Sequence, residues 1–221
     1  MWTIPGCTRP TPPETIPAGL YHPILRDSLV PPSKALAVLL EEISSAADIP
    51  VLRSVTLPPG ARELRLTGAV SGMIWRPIPQ LRLVEWTGGV MGQLYFYWYR
   101  LRDSLGGYIT PGWVKQNRSW CNVVRQTSSW ATCRIRLRDG ITWQAVADSM
   151  EALKVWDLPP ENVEDRIGSH ISDQEGILGE RLIGIDYRRF RYYDLERLSG
   201  GDVPRISAAA RLVENLVPHD R

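Results

Sequence analysis

The sequence predicts an α+β protein: a mostly antiparallel β-sheet with helices packed on one side, preceded by a Pro-rich N-terminal arm. Three observations carry that expectation. Short runs in which apolar and polar residues alternate recur between residues 51 and 138, the period of half-buried strands. Three longer stretches, 33–48, 143–156 and 204–217, repeat apolar residues every three to four positions, which is helical spacing. Strands and helices do not alternate regularly enough for a parallel α/β fold.

Composition bounds the answer. The chain has 221 residues, 43% of them hydrophobic, enough for one sizeable core in one large domain or one domain with extensions. The 26 basic and 24 acidic residues are intermixed and leave a formal charge of +2, too mild to imply nucleic acid. Nine tryptophans and eight tyrosines stand against two phenylalanines. Trp and Tyr carry a polar handle and are favoured at interfaces. No run approaches the roughly 20 apolar residues of a membrane-spanning helix.

The first 32 residues read as an extended arm or tether, ahead of a single domain over 33–218. Prolines at Pro5, Pro10, Pro12, Pro13, Pro17, Pro23, Pro31 and Pro32 exclude regular core structure there. Ile4-Pro5-Gly6-Cys7 resembles the end of a bacterial lipoprotein signal, and the polar TRPTPPET that follows resembles a lipoprotein tether. Cys7 is therefore a candidate lipid anchor, although the basic and apolar region that should precede it is missing. The alternative is an ordinary unpaired cysteine in a tail. Pro10, Pro12 and Pro13 become candidate partner contacts.

The first helix opens at Ser33 and sets Leu36, Leu39, Leu40 and Ile43 on one face, ending before Ile49-Pro50. Glu41 and Glu42 are adjacent and do not face each other on a helix, so they read as a solvated face. Strands follow. Leu64 and Leu66 alternate with Glu63, Arg65 and Thr67; Pro77-Ile-Pro79 is a break; Leu81 and Leu83 flank Arg82. Thr87-Gly88-Gly89 turns the chain into Gln93–Tyr99, a hairpin. On the returning strand Leu94, Phe96 and Trp98 point one way and Tyr95, Tyr97 and Tyr99 the other. The tyrosine face is a candidate interface, stacking on a partner protein or on glycan rings, or else the second buried face of a central strand under a helix.

A loop over 103–118 leads to the clearest stretch, Cys121–Pro160: two strands, a turn and an amphipathic helix. Cys121 and Cys133 sit symmetrically about Thr127. A hairpin turning through Gln126–Ser129 would place them opposite each other, with Cβ atoms about 4.5–5.5 Å apart. A disulfide needs about 3.5–4.5 Å and would add about 3 kcal/mol at most. Two free buried cysteines in a cytosolic hairpin are the alternative. Arg134, Arg136 and Arg138 alternate with Ile135 and Leu137, leaving one wet face. Thr142 is the expected N-cap of a helix whose inward residues run from Trp143 through Met150 to Trp156, stopped by Pro159-Pro160.

Residues 161–179 read as a polar, acidic loop. Asp165, His170, Asp173 and Glu175 lack the spacing of a calcium loop, and a lone histidine makes a poor zinc site. Arg181–Arg197 is a strand or a bent pair. Its arginines meet Asp186, Asp194 and Glu196, so the field for nucleic acid is weak, and a charged outer strand face explains them better. Asp202 is the expected cap of the last helix, with Ile206, Ala209, Ala210, Val213 and Leu216 inward.

No Gly-rich phosphate loop, G-x-S-x-G elbow or HExxH occurs. At LRLVEW…GQLYFYW, the cysteine hairpin and CRIRL…W…L…WDLP, over about residues 60–160, the chain resembles uncharacterised exported proteins of bacteria, which often start as lipoproteins and have no assigned activity. The resemblance implies export and supplies no catalytic residues. The expectation is a non-catalytic, periplasmic or otherwise extracytoplasmic accessory subunit without catalytic, metal or cofactor residues. Its partners would be protein subunits of a larger membrane-bound complex, with no nucleic acid and with membrane contact only through a lipid on Cys7. The alternatives are a glycan- or peptide-binding module using the tyrosine face and an unrecognised hydrolase; the alternative compartment is the cytoplasm.

Overall fold

Among the described residues seven antiparallel strands form one sheet, because the hairpin signals between residues 60 and 135 chain neighbouring strands together and a last hairpin adds to their edge. The computed structural model describes residues 15–24, 34–68, 78–100, 121–159, 176–193 and 202–217. In chain order the elements are β1 (His22–Pro23), α1 (Lys34–Ala47), β2 (Val55–Thr56), β3 (Arg62–Thr67), β4 (Ile78–Trp86), β5 (Gly89–Tyr99) and β6 (Cys121–Gln126). They continue with β7 (Trp130–Ile135), α2 (Trp143–Ala152), β8 (Gly176–Ile183), β9 (Asp186–Tyr193) and α3 (Val203–Leu216). The sheet order is β6-β7-β5-β4-β3-β8-β9, and β1 with β2 makes a separate two-stranded ladder.

The α+β class with a mostly antiparallel sheet is what the chain adopts, but the helices do not all share one side. On one face Leu64, Leu66, Leu81, Leu83, Leu94 and Phe96 meet Val146 and Met150 of α2 and Ile206 and Val213 of α3. On the other, Ile43 and Ala47 of α1 cover Tyr95 and Tyr97. The cause lies in β5, whose alternate residues are large on both sides. A strand rich on both faces has to be covered twice.

Two glycines set how closely the apolar layer packs. A Cβ on Gly92 would stand 2.1 Å from the Trp143 ring, and one on Gly179 would stand 2.0 Å from the Phe190 ring. Each bare backbone position leaves room for an aromatic ring to approach the strand closely.

Boundaries moved where local hydrogen bonding decided them. α1 ends at Ala47, because Asp48 takes a left-handed φ of 58°. Ile49 N then donates back to Ser44 O at 3.0 Å, before Pro50. α2 stops at Ala152, because Lys154 turns left-handed (φ 52°) and Val155–Asp157 forms a separate 3-10 turn. Pro79, expected within a break, lies inside β4. The expected polar loop ends earlier than residue 179, since β8 starts at Gly176 and buries Ile177 and Leu178.

The segment 15–24, read as part of a free arm, is packed onto the domain. Leu20 is buried with Leu52, Val55 and Leu57, and β1 pairs with β2 through His22↔Thr56 and Pro23↔Val55. Cys7, Pro10, Pro12 and Pro13 lie outside the described residues, as do Asp165, His170, Asp173 and Glu175.

Candidate functional site

Charged side chains concentrate inside the molecule, on the sheet face under α1 and the segment 15–24. Glu63 and Arg65 of β3 and Arg82 of β4 are 0%, 1% and 4% exposed. Their Leu-charged alternation ordinarily reads as one dry and one wet face; here both faces are dry. Arg65 and Arg82 are directly opposite each other in the β3–β4 register, a like-charge pairing that costs free energy by itself. Glu63 resolves it. Its Oε1 accepts from Arg65 Nε at 2.6 Å and from Arg82 Nε at 2.9 Å.

The remaining donors are also engaged. Arg65 reaches Ser44 Oγ of α1 at 3.1 Å and the Pro50 carbonyl at 2.7 Å. Arg82 donates to Gln93 Oε1 at 2.8 Å and to the Tyr21 hydroxyl at 2.7 Å. The Tyr21 hydroxyl in turn donates to Glu63 Oε2, so the segment 15–24 closes the cluster. Tyr95 donates to Gln93 at 2.6 Å, and Tyr97 donates to Gln80, which donates to Thr67 at 2.9 Å.

Electrostatics follow from this geometry. Burial alone would push Glu63 up; the Arg65 and Arg82 guanidiniums outweigh it and hold its carboxyl at about 2. Burial raises the Tyr21 phenol, and the Glu63 charge raises it further. Glu63 is thus a fixed anion and Tyr21 a fixed neutral donor, neither poised near neutral pH for acid-base work. What such a cluster does well is specify structure. Slipping β3 by one residue would carry Glu63 and Arg65 to the apolar face.

The tyrosine face needs correcting as an interface. Tyr95 and Tyr97 are buried beneath α1, their rings 5.9 Å apart and tilted. Tyr99 alone of the three is exposed, at 39%, edge-on to Trp130 at 5.7 Å. The reading of β5 as a central strand with a second buried face is the one found.

Cys121 and Cys133 lie within disulfide-bonding distance, with Cα atoms 5.4 Å apart, but they are not directly opposite. Cys121 pairs with Ile135 and Cys133 with Val123, with a register shift between Val123 and Arg125. The closure of the turn at Thr127 and Trp130 and the register shift together account for the displacement. Thr127 N donates to Trp130 O at 2.8 Å and Thr127 Oγ1 accepts from Trp130 N at 2.9 Å, so the turn closes between Thr127 and Trp130, later than a symmetric hairpin about Thr127 would. The cysteines become diagonal neighbours on one face.

A second polar group sits on the apolar side, at one end of the sheet. Arg62 pairs with Glu85 and Glu151, both at 2.8 Å, and its guanidinium lies 4.2 Å over the Trp156 ring. Arg181 donates to the Trp156 carbonyl and pairs with Asp186 at 3.0 Å. These contacts seat the 3-10 turn on β3 and β8. Among the described residues no three His, Cys, Asp or Glu side chains gather as a metal site, and no helix is long and apolar enough to cross a membrane.

Sequence reasoning missed the buried cluster. The signal that could have found it is Arg65 and Arg82 on neighbouring strands, each next to residues that must be central. No family model, curated protein or solved structure matches the chain.

Proposed function

We propose that the protein is a non-catalytic, extracytoplasmic accessory subunit that docks on a membrane-associated protein assembly. The observation that carries this reading is the internal use of the chain's concentrated charge. Glu63, Arg65, Arg82 and Tyr21 bind one another in a closed cluster, which supports a scaffold role in preference to a hydrolytic one. The bonding distance between Cys121 and Cys133 supports an oxidising compartment. A lipid on Cys7 would tether the domain to the membrane, with Pro10, Pro12 and Pro13 in the tether. Peptide or glycan recognition is the second reading, favoured by the exposed Tyr99 beside Trp130.

The test is purification from native membranes with intact-mass measurement, alkylating thiols before and after reduction. Cys121 and Cys133 reactive only after reduction, an acyl mass on Cys7 and a stoichiometric set of co-purifying subunits are expected. Three thiols alkylated without reduction, in a soluble monomer, would overturn the proposal. Glycan or peptide binding lost in Tyr99→Ala would replace it with the second reading.

A further inference from the structure

Glu180 is the buried carboxyl that the cluster leaves without an ion pair among the described residues. It stands on β8 at the position opposite Arg65 of β3 and also opposite Arg189 of β9, and it is 3% exposed. Its contact is a hydroxyl: Tyr187 donates to Glu180 Oε1 at 2.7 Å. Arg65 does not turn to it, because its nitrogens are committed to Glu63, to Ser44 of α1 and to the carbonyl of Pro50 just after α1. Arg189 is only half-buried and makes no ion pair with Glu180 among the described residues.

We propose that Glu180 is a buried proton switch for the seating of α1. As the neutral acid it leaves Arg65 to hold Ser44 and the Pro50 carbonyl; as the carboxylate it draws Arg65 across the sheet and loosens the C-terminal end of the helix. Counting charge supports the neutral form's role. With Glu180 protonated, Arg65 and Arg82 share one carboxylate, Glu63, and Arg65 has a donor to spare for Ser44 and one for the carbonyl. An ionised Glu180 competes for those donors at a register position one strand away.

The groups facing Glu180 are Glu63 and Arg65 from β3, Tyr187 and Arg189 from β9, and Tyr97 from β5. From α1, the positions described as buried are Leu40, Ile43, Ser44, Ala46 and Ala47, and among these none carries a charge. Burial raises Glu180 above the ordinary carboxylate value, with Glu63 adding to it, against the lowering effects of Arg65, the Tyr187 hydrogen bond and Arg189. A raised folded-state pKa gives stability that is complete below the unfolded value and is lost as pH rises through the folded value. The switch therefore opens upward in pH.

Hydrogen exchange at the amides of α1 and of Asp48 and Ile49, which donate to Ser45 O and Ser44 O, corrected for intrinsic rate, tests this in the full chain. In wild type the local opening constant should rise by up to about tenfold per pH unit between the ordinary carboxylate pKa and that of Glu180. Glu180→Gln keeps an acceptor for Tyr187 and cannot ionise, so its profile should be flat. Should that variant not fold, carboxyl NMR titration of wild type decides. Glu180 titrating above the other glutamates, with the Arg65 Nε–H resonance moving in step, is the expected result. A Glu180 that is ionised throughout overturns the proposal. So does one that titrates while Arg65 and α1 stay unmoved, the charge being taken by Arg189.

Discussion

The two faces of the central sheet use the same strands and opposite physics. Under α2 and α3 the contacts are Leu64, Leu81, Leu83, Leu94, Met150 and Val213, non-directional and forgiving of small shape changes. Under α1 and the segment 15–24 the contacts are directional, with Glu63 holding two arginines that would otherwise repel. An apolar layer loses stability in proportion to the volume removed. A buried ionic layer loses it abruptly when one partner goes, because the remaining charge has no water to turn to. The difference teaches that the apolar side supplies most of the cohesion, while the polar side selects register and the placement of α1.

The largest expected break is Glu63→Gln. It leaves Arg65 and Arg82 facing each other, and should cost about 3–5 kcal/mol in urea unfolding, against about 1 kcal/mol for a one-methylene trim on the apolar face. The pH dependence sharpens the comparison. Glu63 has its folded pKa depressed to about 2, so its contribution is complete above the unfolded carboxylate value and is lost as pH falls towards about 2. Wild type should show that acid-side slope and Glu63→Gln should lack it. Equal acid slopes in the two would refute the pairing.

On the apolar face the tight point is Gly92. A Cβ there meets the Trp143 ring at 2.1 Å, and overpacking of this kind costs about 1–3 kcal/mol. Gly92→Ala should fall in that range by thermal or urea unfolding, and Trp143→Leu in the same chain should relieve part of it. Strict additivity of the two changes would mean that the ring and the glycine do not share one space.

How much of this was legible beforehand follows the same division. Elements whose signal is local were readable. Thr142 caps α2 through a hydrogen bond from Ala145 N at 3.2 Å, and Arg134, Arg136 and Arg138 are exposed as their alternation indicated, although β7 ends at Ile135. Asp202 was the expected cap of α3 by the same rule, yet its side chain makes no cap bond and pairs with Arg205 instead. Features set by long-range pairing were not readable. The register of the cysteine hairpin depended on where the turn closes, between Thr127 and Trp130, and on the register shift between Val123 and Arg125. The burial of Glu63 and Arg82 depended on Tyr21, 42 residues from Glu63 in the chain. Alternation cannot distinguish water from a second buried layer, and no residue between 60 and 85 announces that the segment 15–24 will cover them.

That dependence makes Tyr21 the smallest and most discriminating test. Tyr21→Phe keeps the ring near Arg82, whose guanidinium lies 5.6 Å from its centroid, and removes only the hydroxyl. The loss leaves Glu63 Oε2 and Arg82 each short of one partner, at about 1–3 kcal/mol for a buried unsatisfied group. Hydrogen exchange should show the Ile24 amide, which donates to Ser54 O at 3.0 Å, losing protection while those of β3 and β4 hold. The arginines still neutralise Glu63, so the acid-side slope should persist in Tyr21→Phe. If Tyr21→Phe unfolds like Glu63→Gln, the segment 15–24 is not a cover over an independently formed ion cluster but part of its nucleus, and the two-face division would have to be redrawn with the N-terminal segment inside the core.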